Sequence, residues 1–144
     1  MRQTLGMMLC AILGLAAAAE ISGAEVLVWH DEFEGETLDL SKWTAETGLV
    51  RNVRAAQLYR NDPENLSVSG GALRLTATHA AEGYANPYFG KREDWRGDTA
   101  SKAYASGAVN SFGKLSMRYG RVEVRARFGV ASGVWPAIWM LGST

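Results

Sequence analysis

Residues 120–128 read GRVEVRARF, with Val122, Val124, Ala126 and Phe128 at alternate positions and Arg121, Glu123, Arg125 and Arg127 between them. Successive side chains of a strand leave on opposite faces, so a period of two predicts a strand with one face toward a core and one toward water. No stretch of a dozen residues beyond position 24 holds the i, i+3, i+4 spacing of an amphipathic helix, and the chain is expected to be all-β.

Working outward, NLSVSGGALRLTAT (65–78) places Leu66 and Val68 before Gly70-Gly71, then Leu73, Leu75 and Ala77. Paired glycines able to take positive φ between two alternating runs predict a hairpin. EVLVWHDEF (25–33), YASGAVNS (104–111), GKLSMRY (113–119) and GVWPAIWML (133–141) read as further strands. Roughly seven strands with turn signals between them are the pattern of a sandwich. The long aperiodic stretch, from about His79 to Lys102, holds Tyr84, Tyr88, Phe89 and Trp95 among Gly83, Gly90 and Gly97. Aromatics at that density predict an ordered loop over the sandwich edge.

The first 24 residues have the form of a secretory leader, in which Arg2 precedes an apolar stretch from Leu5 to Ala19 that ends among small residues. Cleavage is expected after Ala24, with Ala17-Ala18-Ala19 as an earlier option. The apolar run, at about 15 residues, falls short of the ~20 that cross a bilayer as a helix. The implied location is secreted, extracellular or periplasmic, with no membrane attachment after cleavage. Cys10, the only cysteine, leaves with the leader, so the exported chain would be stabilised by burial and not by disulfides. Fifteen acidic residues balance fifteen basic ones, which argues against nucleic acid as a partner. The exported part suffices for one ordinary domain but is short of the ~200 residues of a large sandwich.

Among residues able to do chemistry, Glu32, Glu34 and Glu36 alternate, and paired carboxylates are what glycoside hydrolysis uses. Nothing beside them supplies the apolar wall that raises a catalytic acid's pKa, so a solvated strand end is expected. Glu32 alone is a candidate cation ligand. His30 and His79 lack zinc-site spacing, and neither a GxSxG motif nor a phosphate-cradling glycine loop is present. On the last apolar stretch Trp135, Ala137, Trp139 and Leu141 share one face, opposite Val134, Pro136, Ile138 and Met140. Such a strand is either buried on both faces or meets a ligand with one. Indole rings suit the C–H faces of sugars, and core packing is the alternative. Pro136 places the strand at an edge or a bulge.

Taken in order, VWHDEFEGETLDLSKW (28–43), YGRVEVRARF (119–128) and GVWPAIWMLG (133–142) resemble glycoside hydrolase family 16, most closely its laminarinase-type members, which cut β-1,3-glucans. RNVRAAQLY (51–59) and EDWRGDTASKAYASGAV (93–109) look like the same subgroup. The resemblance implies a concanavalin-like jelly-roll β-sandwich with a concave cleft, a polysaccharide substrate, retaining hydrolysis without a cofactor, and often a structural Ca2+. In that family a strand carrying Glu-x-Asp-x-x-Glu, or a close variant, follows the WPAIWMLG motif and supplies nucleophile and acid/base. No such motif occurs in these 144 residues. The expectation is therefore that residues 25–144 are the N-terminal part of such a catalytic domain. The catalytic residues would lie beyond Thr144, and the 144-residue chain would itself be inactive. A non-catalytic β-glucan-binding protein on the same fold is the alternative.

Carried over from the resemblance as substrate-binding residues are Trp135 and Trp139, which match the family's paired cleft tryptophans, with Asn52 and Gln57 as a polar pair. Glu32 matches an acidic position near the family's calcium site. Two departures bear on fine specificity: Ala55 or Ala56 stands where an acidic residue is usual, and Ala108 stands where many laminarinases carry arginine.

Overall fold

The computed structural model describes residues 25–48, 55–94 and 96–142. The chain divides into two units, Met1–His30 and Asp31–Thr144. In the first unit the described residues, 25–30, belong to no strand. The expected leader lies outside the described residues.

The second unit is all-β, with no helix among its described residues. Its strands are β1 (Thr44–Ala45), β2 (Gln57–Tyr59), β3 (Leu66–Val68), β4 (Leu73–Leu75), β5 (Thr78–Ala85), β6 (Ser101–Ser106) and β7 (Val109–Asn110). They form three small sheets, ordered β1-β7, β2-β6-β5 and β3-β4. The β2–β6 pair is parallel and the other pairs are antiparallel.

The expected hairpin is present. Leu66 faces Leu75 and Val68 faces Leu73, and the turn between them puts Gly70 at φ 59° and Gly71 at φ 69°. Positive φ at both central residues twists the chain in the sense that the flanking strands require, which is why two glycines stand there. Leu66 and Val68 are buried. Leu58 of β2 and Ala105 of β6 are in register and buried as well. Burying a leucine or valine contributes about 1.5–3 kcal/mol.

Amid this apolar cluster, Asn65 is the one large side chain among the described residues with no exposure at all. Its amide nitrogen donates to the Thr76 carbonyl at 3.0 Å and to Thr78 Oγ1 at 2.8 Å. Thr78 Oγ1 also accepts from the Tyr84 hydroxyl at 2.7 Å. The amide thus ties the hairpin to the start of β5, and β5 is in turn paired with β6.

The segment DEFEGETLDLSKW takes its shape from Asp31. One carboxylate oxygen accepts the Phe33 N–H at 2.9 Å, and the other accepts Trp43 Nε1–H at 2.8 Å. Phe33 has φ 53° and stacks on Trp43 with centroids 5.9 Å apart. A bulky residue in the left-handed region is costly, and the side-chain cap and ring stack hold it there. Lys114 Nζ donates to the Leu40 and Trp43 carbonyls, which joins this segment to the stretch after β7.

Several expected strands are absent. Residues 25–33, 113–119, 120–128 and 133–141 take part in no ladder, and Val122, Val124 and Phe128 are about half exposed instead of facing a core. Alternation encodes which face each side chain would take. It does not supply the second strand whose N–H and C=O groups must close the ladder, and none among the described residues does so. YASGAVNS is split, because β6 ends at Ser106 and β7 begins at Val109. The expected loop from His79 starts later, since β5 runs to Ala85. Its shift of register between His79 and Tyr84, with Gly83 at φ 75°, breaks the period that would have revealed it.

Candidate functional site

Gln57 opens β2, and the parallel register sets it beside Tyr104 of β6. Across the other edge of β6, the antiparallel register sets His79 of β5 beside the same Tyr104. The next rung, Leu58, Ala105 and Thr78, points the opposite way, and its Leu58 and Ala105 are buried. Gln57, Tyr104 and His79 therefore lie on the face turned away from this core, with Tyr59 and Ser106 one step further along it. The His79 and Tyr104 rings are tilted by 53° with centroids 5.0 Å apart, and Tyr104 is 45% exposed.

The edge of β2 is finished by Gly48. It pairs with Tyr59 through N–H···O bonds of 2.8 and 3.0 Å. A Cβ added to Gly48 would lie 2.7 Å from the Tyr88 hydroxyl, so the absent side chain makes room for that ring.

Tyr88 belongs to the loop after β5, which side-chain hydrogen bonds tie together. Buried Asn86 donates from Nδ2 to the Arg96 and Thr99 carbonyls at 2.6 and 2.8 Å, and its Oδ1 accepts from Tyr88 N at 3.0 Å. Asp94 forms a second knot, accepting Arg96 N, Arg96 Nη1 and Arg92 Nη2 at 2.7 to 3.0 Å. Desolvation raises the Asp94 carboxyl, but the Arg96 amide and the two guanidinium groups outweigh it and hold the group below its usual range. The hollow beside this knot is open and lined by Arg92, Glu93, Asp94, Gly97 and Asp98.

The tryptophans expected to bind sugar lie in the segment without a ladder. Trp135 is 93% exposed and Trp139 is 51% exposed. Asn52 lies outside the described residues, so its pairing with Gln57 does too. Glu32, Glu34 and Glu36 are exposed, as expected, but residues 35–37 form a bend in place of a strand end. No group of three or more His, Cys, Asp and Glu able to hold a metal occurs among the described residues. The structure thus brings Gln57 together with His79 and Tyr104, and builds no ladder from there to the tryptophan segment. Sequence reading took His79 as ordinary and did not single out Tyr104. Only the register shows them to be neighbours, and the irregular β5 hides that register.

Across 124 residues, 80% of its length, the chain is 37% identical to the glucan endo-1,3-beta-glucosidase A1 of Niallia circulans. It is 36% identical across 135 residues to a beta-glucanase of Rhodothermus marinus, and 38% across 118 to the keratan-sulfate endo-1,4-beta-galactosidase of Sphingobacterium multivorum. The chain is a homologue of endo-acting glucanases and galactosidases of the glycoside hydrolase family 16 type. It spans 17%, 41% and 24% of the lengths of these three relatives. No family model matches the sequence. A solved structure from work on endo-acting O-glycanases, which prominent members of the human gut microbiota express to initiate mucin breakdown, superimposes with TM-score 0.53. The identity is 38%, covering 62% of this chain and 32% of that one. As a family 16-type homologue, the chain shares its β framework with a glycanase.

Proposed function

We propose that the protein carrying these residues hydrolyses O-glycosyl bonds within a β-glucan, of β-1,3 or mixed linkage, on a closed jelly roll. The observation that carries this is the 37% identity to a glucan endo-1,3-beta-glucosidase over 124 residues. In the retaining mechanism one carboxylic acid protonates the glycosidic oxygen as the second carboxylate attacks the anomeric carbon. Water then cleaves the resulting glycosyl ester, its proton passing to the first residue. Residues 25–144 contribute sugar contacts from Trp135, Trp139, Asn52 and Gln57. The mechanism needs an acid pair in addition to these contacts. A structural Ca2+ near Glu32 and export after cleavage at Ala24 belong to the same proposal.

A second reading is a β-glucan-binding protein without activity on the same fold. One experiment separates the two. The intact protein is incubated with a β-1,3-glucan, a mixed-linkage β-glucan and keratan sulfate, and reducing ends are counted. Release from either glucan supports the enzyme. Binding without release supports the second reading, and release from keratan sulfate alone would move the substrate to galactose-containing chains.

A further inference from the structure

Three sheet strands place Gln57, Tyr104 and His79 in one row on the face opposite buried Leu58 and Ala105. Among the described residues, nothing buries this row. His79 and Tyr104 are exposed, and Gln57 is half-buried. The row offers an amide, a phenol and an imidazole, each able to donate and to accept. Two of them also present ring faces, held 5.0 Å apart in a tilted pair that fixes both orientations.

An apolar partner would strand those polar edges, and a nucleic acid would need cations that the row does not contain. A pyranose meets both requirements, because its C–H face covers an aromatic ring while its hydroxyls exchange hydrogen bonds at the rim. Neighbouring strands lie about 4.8 Å apart, so the row spans about 10 Å, roughly the length of two sugar rings. Resting on the function proposed above, we infer that Gln57, Tyr104 and His79 form a subsite for a neutral β-linked oligosaccharide, built on the β2-β6-β5 sheet separately from the tryptophan segment. Tyr104 is its platform. His79 braces that ring and offers a nitrogen to a hydroxyl, and Gln57 closes the row with an amide that can both donate and accept.

The test titrates the intact protein with a hexasaccharide of β-1,3-linked glucose, read by calorimetry and by the imidazole proton resonances of His79. Tyr104→Ala and His79→Ala should each weaken binding by about 3- to 10-fold, the range of one aromatic contact. Tyr104→Phe, which keeps the platform, should stay within about twofold of the parent. Phe112→Ala, a change at an exposed ring outside the row, should leave affinity unaltered. The His79 resonances should shift as sugar is added. Parent-like affinity in both alanine variants, with unmoved His79 resonances, overturns the subsite and leaves the glucanase reading standing. Absence of binding by the parent protein overturns that reading and the subsite with it. Should Tyr104→Ala fail to fold, as judged by circular dichroism, the His79 resonances decide alone: a shift supports the subsite and its absence overturns it.

Discussion

Gly107 lies against Asn65 so closely that an added Cβ would fall 2.3 Å from the Asn65 carbonyl oxygen. That carbonyl also accepts the Thr76 N–H at 2.9 Å, so it is fixed from the other side. Between β6 and β7 the chain needs a residue without a side chain, for reasons of space. Gly107→Ala should therefore lower stability by about 1–3 kcal/mol, the cost of overpacking a fixed backbone. Ala108→Gly, next in sequence, should cost less. Denaturant melts of the two variants check this.

Asn65 itself holds the hairpin to β5 through Thr76 and Thr78. Asn65→Ala removes two hydrogen bonds that a fully buried side chain makes to the part-buried Thr76 carbonyl and Thr78 hydroxyl. The expected loss is about 1–3 kcal/mol. Asn65→Asp should be at least as damaging, because it replaces the donor with a charged acceptor facing two oxygens. A melt in which either variant matches the parent would remove Asn65 from its structural role.

Acid should loosen the loop after β5. The Asp94 carboxyl is held below its ordinary value of 3.8 in the folded chain, so the unfolded chain takes up the proton first as pH falls. The stabilisation is present above about 3.8 and is lost as pH drops through the lower folded value. Asp39, lowered by the Ser41 hydroxyl and then by the Ser41 amide, adds in the same direction. Asp94→Asn should flatten the pH dependence of stability below pH ~4 relative to the parent.

The hairpin at 65–78 was legible because both of its strands and its two turn glycines lie within one local stretch. The all-β class followed from periodicity alone. Residues 120–128 carry clear alternation and 133–141 a continuous apolar run, yet neither finds a ladder among the described residues, because pairing depends on a partner that a pattern in one strand cannot name. RNVRAAQLY singles out Gln57 by resemblance, but its position beside Tyr104 and His79 is not legible, since the register shift in β5 conceals the alignment.

Trp135 and Trp139 should behave as binding residues whose loss barely disturbs the fold. Both are at least half exposed. In the intact protein Trp135→Ala should change stability by less than about 0.5 kcal/mol. It should weaken binding of a β-1,3-glucan hexasaccharide by about tenfold. A large stability loss with unchanged sugar affinity would assign the indole to the core.

The most direct test compares reducing ends released from a β-1,3-glucan by the intact protein and by residues 25–144 alone, with the anomeric configuration of the first product followed by NMR. The intact protein should release β-configured ends and residues 25–144 should release none. Hydrolysis by residues 25–144 unaided, or inversion at the anomeric carbon, would contradict an acid pair of the retaining kind supplied from elsewhere in the protein.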